Sequence, residues 1–377
     1  MARQHPVTPC RSPVTAPHEE SRGSRWGTNL GVRQVSSRGL RHWSVTCVLV
    51  SQAGVGNLVA AQQWCPEPAG RHITVSPGVR LHVVEWGGAG EPVLLLAGIL
   101  ASAHVFDEFA PLLTDHHRVI GITRRGIPPS DPSPAGYEAS TLTADIVTVM
   151  DSLHISAAHV IGWSFGGNEA VILATTHAAR VQSVVLLDSY DSRMRRAMRG
   201  QGSTSPDAPG AAVEPFLPFD STSPLALQWR QQRLGNRPPP LSTICTASRF
   251  GPDGRYLGTV VPRRLRDSIA AAMRQGMPLL PYSGVRQPVL ALFAVPRGAG
   301  DMFPMYATMD TAARRHADSS FEATLREQGA VRARLQREIP QATLVDMPGA
   351  AHAIFRSHPE AVFLRVRSFL DHSPRAE

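Results

Sequence analysis

Short, fully apolar runs alternate along this chain with stretches whose apolar residues recur at helical spacing. Residues 92–97 and 181–187 are continuous apolar runs of strand length. Residues 141–153 instead carry their apolar positions three and four apart, which is typical of an amphipathic helix. Continuous apolar strands that alternate with helices are typical of a parallel sheet covered on both faces. The pattern therefore predicts an α/β fold.

The same criteria place the other elements. The predicted strands are 73–76, 80–86, 92–97, 118–123, 159–163, 181–187, 288–295 and 342–346. The predicted helices are 103–113, 141–153, the stretch after Ser164, 319–338 and 359–370, with helical pieces near 193–198, 224–233 and 262–274. The pattern breaks between Asp188 and Arg286, and an irregular insertion of this length is usually functional. We therefore expect a two-part core, 71–188 and 287–372, with a lid at 189–286.

The leader differs from the rest of the chain. Residues 1–61 hold seven arginines against two glutamates, and 1–40 are too poor in apolar residues to build a core, so we expect disorder there. Residues 43–61 follow Arg38 and Arg41 and end in small residues, which resembles a secretory signal. We expect a secreted or periplasmic protein; a cytoplasmic protein with a disordered tail is the alternative.

Composition excludes other classes of protein. The net charge is +8, all 38 basic residues are arginine, and most of the excess lies in the leader. Nucleic-acid binding, which needs a clustered basic face, is therefore not expected. No apolar run reaches the ~18 residues of a membrane span. The four cysteines lack zinc-site spacing. Cys65 and Cys245 could pair, but two unrelated thiols are slightly favoured.

Ser164 is the candidate nucleophile. It stands in Gly162-Trp-Ser-Phe-Gly166, between an apolar strand and a helix-forming stretch. A G-x-S-x-G turn in that context holds the serine on a strained bend with its hydroxyl exposed. The alternative is a glycine turn that merely joins a buried strand to a helix.

A serine hydroxyl needs a base and an orienting acid, and ligands of such folds gather at the carboxyl ends of the strands. His352 follows the last predicted strand and is the candidate base. Asp301 follows the strand ending at Val295 and is favoured as the acid; Asp188, which closes an earlier strand, is the alternative.

An acyl-transfer site also needs donors for the oxyanion, typically backbone N–H groups. Phe165 follows the serine and supplies one candidate N–H. Ile99, in the loop after strand 92–97, supplies the other. No metal or cofactor is expected.

With these residues in place, the chain from about residue 74 to 370 resembles the serine-type α/β-hydrolases. The matching stretches are 93–98, 123–126, 162–167 and 349–352. More narrowly, it is similar to bacterial hydrolases, often exported, that carry Gly-Ile-Thr-Arg-Arg-Gly at 121–126. The resemblance implies an eight-stranded, mostly parallel sheet, a Ser-Asp-His triad and no cofactor. Arg124 and Arg125 are expected to anchor salt bridges; a site for an anionic substrate is the alternative.

The expected function is hydrolysis of an ester or related acyl substrate, a small molecule. A ligand-binding protein of the same fold without turnover is the alternative, motivated by Ala97-Gly98 where the family usually has His-Gly. Substrate identity and oligomeric state are left open by the sequence.

Overall fold

An eight-stranded sheet organises the part of the chain that the computed structural model describes, namely residues 65, 67–199, 239–303 and 305–373. The strands are β1 (Arg71–Ser76), β2 (Val79–Gly87), β3 (Glu91–Leu96), β4 (His117–Ile122), β5 (Ala158–Trp163), β6 (Val181–Leu187), β9 (Val289–Val295) and β10 (Thr343–Pro348). Their order across the sheet is β1-β2-β4-β3-β5-β6-β9-β10. The β1–β2 and β2–β4 pairs are antiparallel and the other five are parallel. The predicted eight-stranded, mostly parallel sheet is confirmed.

Helices cover both faces of this sheet. They are α1 (Ala139–Ser152), α2 (Phe165–Thr176), α3 (Ser192–Arg199), α4 (Leu241–Ala247), α5 (Arg263–Gly276), α6 (Ala299–Met302), α7 (Thr311–Glu338), α8 (Ile354–Ser357) and α9 (Pro359–His372). Leu94 and Leu96 of β3 pack into the core cluster that contains residues of α1 and α2. Val93 and Leu95 pack into the cluster that contains residues of α9. This alternation with period two explains why the strands are apolar throughout.

The stretch predicted as one helix over 103–113 is instead two short 3-10 turns, Ala103–Phe106 and Ala110–Leu113. Pro111 lies at the start of the second turn. Proline lacks the N–H that a continuing helix needs, and its ring clashes with the preceding turn. The single-helix prediction was wrong for this reason.

The described part of the segment between β6 and β9 contains α3, α4, α5 and a separate two-stranded sheet. That sheet, β7 (Ser248–Phe250) with β8 (Tyr256–Thr259), was not predicted. Asp191 fixes the start of the segment: its buried carboxylate accepts hydrogen bonds from the N–H of Met194 (2.9 Å) and of Leu280 (2.9 Å). It also pairs with Arg334 of α7 at 2.6 Å. The predicted helix at 224–233 and the leader at 1–61 lie outside the described residues.

Cys65 and Cys245 form a disulfide, with their Cα atoms 5.4 Å apart. The slightly favoured expectation of two unrelated thiols is therefore wrong. The bond ties the stretch before β1 to α4, across 180 residues of sequence.

Within the described ranges, no helix combines the length and the apolar character needed to cross a membrane.

Candidate active site

Ser164 stands at the sharp turn between β5 and α2. Its backbone has φ 54° and ψ −119°, a region that residues other than glycine rarely adopt. A Cβ on Gly162 would lie 2.4 Å from backbone atoms of Gly166. A Cβ on Gly166 would lie 2.1 Å from the carbonyl oxygen of Leu96. The two glycines are therefore required because strand, turn and helix pass too close together for any side chain.

His352 meets Ser164 although 188 residues separate them. Its Nε2 lies 3.0 Å from the Ser164 Oγ, so the hydroxyl can donate to the imidazole. His352 is in the loop after β10, as predicted. The Trp163 indole N–H donates to the backbone oxygen of His352 at 2.9 Å and holds this loop against the end of β5. Trp163 was missed by sequence reasoning, although it immediately precedes the serine.

Asp188 lies on the far side of the imidazole. Its Oδ2 is 2.6 Å from the His352 Nδ1, which donates to it. The carboxylate is only 3% exposed. Its Oδ1 accepts two more hydrogen bonds, from the Tyr190 hydroxyl at 2.6 Å and from the Ala294 N–H at 2.8 Å. Burial raises the pKa of Tyr190, and the Asp188 charge adds to the effect, so this phenol stays protonated and keeps its donor role.

Asp301, the favoured acid, is not beside His352. Its carboxylate accepts from the backbone N–H of Arg297 at 2.9 Å and pairs with the Arg297 guanidinium at 3.2 Å. The hydrogen bond from the Arg297 side chain lowers the pKa of Asp301. The contact that we expected from Asp301 is made by the alternative, Asp188. The preference for Asp301 was therefore wrong, because its carboxylate is bound by Arg297, four residues earlier in the chain.

The two candidate oxyanion donors have no competing partner. Among the described residues, the N–H groups of Ile99 and Phe165 donate no hydrogen bond. Phe165 is the first residue of α2, whose dipole and free N–H groups favour negative charge at that end. Both N–H groups are thus available to a ligand.

A buried ion pair holds the Ile99 loop. The Arg124 guanidinium pairs with Glu169 of α2 and donates to the carbonyl oxygens of Ala97 and Gly98, the latter at 2.9 Å. The guanidinium also lies 5.2 Å from the Phe165 ring centre. Arg124 therefore joins the loop that carries one candidate donor to the helix that carries the other.

Arg125 makes a second buried pair, with Asp145 of α1 at 2.7 Å. The expectation that Arg124 and Arg125 anchor salt bridges agrees with both contacts. Both guanidinium groups are therefore paired with buried carboxylates of the same chain.

Unusual backbone angles gather at this site. Four non-glycine residues in the described ranges have positive φ, and three of them are Ser164, Asp188 (45°) and Leu100 (59°). Strained conformations of this kind persist where the surroundings enforce them and cluster at functional sites.

The arrangement can perform nucleophilic acyl chemistry. A hydroxyl, an imidazole that accepts its proton and a buried carboxylate that orients the imidazole form a continuous chain of hydrogen bonds. In the described residues, no group of three or more His, Cys, Asp or Glu is placed to hold a metal ion.

Comparison with known proteins agrees with the fold. The family model described as alpha/beta hydrolase fold matches residues 91–270. A crystal structure of E-2-(acetamidomethylene)succinate hydrolase superposes with a TM-score of 0.56 at 21% identity, covering 81% of this chain and 99% of that one. The chain therefore has the α/β-hydrolase fold.

Several relatives in sequence carry the name of a hydrolase. A provisionally named carbamate hydrolase, RutD, of Caulobacter segnis is 31% identical over 121 residues, which is 30% of this chain and 43% of that protein. The 2-(acetamidomethylene)succinate hydrolase of Mesorhizobium japonicum is 25% identical over 288 residues, 75% of this chain and 89% of that protein. The matches to this RutD protein and to two further RutD proteins of Caulobacter each cover less than half of the length of the matched protein.

Proposed function

We propose that the protein is a serine hydrolase that cleaves an ester or a related acyl substrate through an acyl-enzyme. One observation carries the proposal: the hydrogen-bond path from the Ser164 hydroxyl through His352 to the buried Asp188 carboxylate. Names of relatives support hydrolysis as the reaction class. One of those names contains an acetamido group, so amides belong among the acyl substrates to test.

In the proposed mechanism, Ser164 Oγ attacks the substrate carbonyl while His352 Nε2 takes its proton. The N–H groups of Ile99 and Phe165 stabilise the oxyanion of the tetrahedral intermediate. His352 then gives the proton to the leaving group, and the acyl-enzyme remains. Water, deprotonated by His352, attacks the acyl carbonyl, and the acid is released as the proton returns to Ser164.

Asp188 has a positional and an electrostatic part in this scheme. Its Oδ2 fixes the tautomer that leaves Nε2 free to accept a proton, and its charge stabilises the imidazolium that forms. Tyr190 and the Ala294 N–H hold the carboxylate in place by occupying Oδ1. The acid is thus preorganised before substrate arrives.

The segment 189–286 is proposed as the lid that selects the substrate, between core parts 71–188 and 287–372. Asp191, at its start, is tied to α7 through Arg334. We further propose that the protein works in an oxidising compartment outside the cytoplasm, because the Cys65–Cys245 bond belongs to such compartments. Alkylation of the protein taken from its native cells tests this. If Cys65 and Cys245 resist alkylation until a reductant is added, export is supported; if both are alkylated without reductant, export is contradicted.

The proposed activity is tested with p-nitrophenyl esters of increasing acyl length and matched anilides. Wild type should release p-nitrophenol from the esters with a burst, and p-nitroaniline from the anilides if amides are substrates. Ser164→Ala should abolish release while keeping the unfolding midpoint. Ser268→Ala is the control, because that hydroxyl bonds a helix carbonyl away from the site. No release from any substrate, together with thermal stabilisation by a ligand, would favour the non-catalytic binding protein instead.

A further inference from the structure

A small cavity of about 90 Å³ opens beside the candidate oxyanion loop. On the core side it is lined by Leu100, Ala101 and Ser102, which directly follow Ile99. On the other side it is lined by Thr243 and Thr246 of α4 and by Arg266 of α5. The cavity therefore lies between the loop that would hold the reacting carbonyl and the segment proposed as the lid.

Arg266 brings a positive charge to this cavity. The side chain is half-buried, and it makes no ion pair or hydrogen bond with the residues that the structure describes. Arg263, on the same helix, is paired with Asp267 at 3.8 Å. No carboxylate is found among the described residues lining the cavity. A guanidinium is always charged and offers donors in a fork that matches a carboxylate.

The hydroxyl groups around Arg266 extend the polar surface. Ser102 Oγ and Thr246 Oγ1 are 3.3 Å apart and share a hydrogen bond between core and α4. The Thr243 hydroxyl oxygen is buried without a hydrogen-bond partner in the described part of the chain. A buried polar atom without a partner costs free energy, so a ligand that supplied an acceptor here would recover that cost.

We propose that this cavity binds a carboxylate carried by the substrate, with Arg266 as its counter-ion. Leu100 lines the cavity and directly follows Ile99, and consecutive Cα atoms are about 3.8 Å apart, so the cavity adjoins the place where the Ile99 N–H would hold the substrate carbonyl. The inference rests on the proposed function and adds to it the substrate class: a small acyl compound that also carries a carboxylate. The charge is the feature that the cavity selects.

The test compares charged and neutral substrates of matched size. One pair varies the acyl side, p-nitrophenyl hemisuccinate against p-nitrophenyl pentanoate. A second pair varies the alcohol side, 4-acetoxybenzoate against phenyl acetate. In at least one pair, Arg266→Gln should reduce the charged-to-neutral ratio of kcat/KM by about 10–100-fold, the range for hydrogen bonds between charged groups. Arg266→Lys should restore part of it.

Arg264→Gln is the matched control, because Arg264 is exposed on the same helix and does not line the cavity; it should leave the ratio unchanged. A binding measurement avoids turnover: glutarate should stabilise Ser164→Ala thermally, and the Arg266→Gln/Ser164→Ala double variant should lose that stabilisation. Unchanged ratios in both pairs overturn the carboxylate site while the hydrolase stands. If wild type cleaves no substrate and no fluorophosphonate labels Ser164, the proposed function fails, and the inference fails with it.

Discussion

The Nδ1 of His352 and the Oδ2 of Asp188 are 2.6 Å apart, although 164 residues separate them in the chain. The Asp188 carboxylate is buried at the end of β6, and its other oxygen accepts hydrogen bonds from Tyr190 and from the Ala294 N–H. This contact assigns the acid of the proposed triad to a strand that precedes the insertion.

Asp188→Asn should therefore lower kcat by about 10³–10⁴-fold, because the amide supports the wrong imidazole tautomer and cannot balance an imidazolium. Asp301→Asn is the matched control: it loses only the pair with Arg297 and should stay within about threefold of wild type. Steady-state rates on a p-nitrophenyl ester measure both. The reverse ranking of the two variants would return the acid to Asp301.

Arg124 and Glu169 should show strong coupling in stability. Arg124→Met leaves a buried carboxylate without its partner and removes one donor from each of two loop carbonyls, and breaking such a pair costs about 3–5 kcal/mol. Adding Glu169→Met should recover part of this loss, because no unpaired charge then remains. Urea unfolding of both single variants and the double variant gives the coupling. Additive effects would contradict the account of a buried, cooperative pair.

Activity offers a second readout on this pair. The double variant keeps no guanidinium to hold the carbonyls of Ala97 and Gly98, so kcat should remain low even where stability recovers. Restored kcat in the double variant would show that Arg124 does not position the Ile99 loop.

His82 should make the protein less stable in acid. It is buried beside His104, and burial lowers its pKa to about 4, against about 6.5 in an unfolded chain. Between these values the unfolded state binds more protons, so the free energy of unfolding rises with pH and the full contribution is present above about pH 6.5. The loss on acidification through this window is of the order of 3 kcal/mol.

The variant His82→Gln isolates this effect. It cannot take up a proton, so its stability should fall less between pH 6.5 and 4 than that of wild type. His316→Gln, at an exposed position of α7, serves as the control. Urea midpoints at each pH measure the difference, and parallel curves for wild type and His82→Gln would contradict the assignment.

Removing the disulfide should destabilise the fold. The bond closes a loop of 180 residues, and disulfides of this kind typically contribute about 2–5 kcal/mol, mainly by restricting the unfolded chain. The double variant Cys65→Ser/Cys245→Ser should unfold at a lower temperature than wild type, and dithiothreitol should bring wild type to the same value. A reductant-insensitive wild type with an unchanged double variant would contradict this.

The sequence predicted those parts of the fold and candidate site that depend on local patterns. Apolar strands, the glycine turn around Ser164 and a histidine directly after the last strand are each visible within a few residues. Local patterns could not decide which of two aspartates is the acid, because Asp188 and Asp301 both follow strands. The two aspartates differ only in their contacts in the folded protein. Arg297 binds the Asp301 carboxylate, whereas Tyr190 and the Ala294 N–H donate hydrogen bonds to Asp188.

The other corrections also depend on distant contacts. The pairing of Cys65 with Cys245 requires α4 to lie beside the stretch before β1, which no local pattern reports. The short β7–β8 sheet lies in a stretch rich in polar and glycine residues, where strand periodicity is too brief to detect. Two nearby details were available in principle: Trp163 adjoins the serine, and Tyr190 follows Asp188 by two residues.

The central claim is that His352 activates Ser164 as the nucleophile, and the site and rate of fluorophosphonate labelling measure it most directly. Peptide mapping should find one adduct, on Ser164, forming at least 10²-fold faster than in His352→Ala, as expected for loss of the general base, and absent from Ser164→Ala. An adduct on another residue, or equal labelling rates with and without His352, would contradict the account.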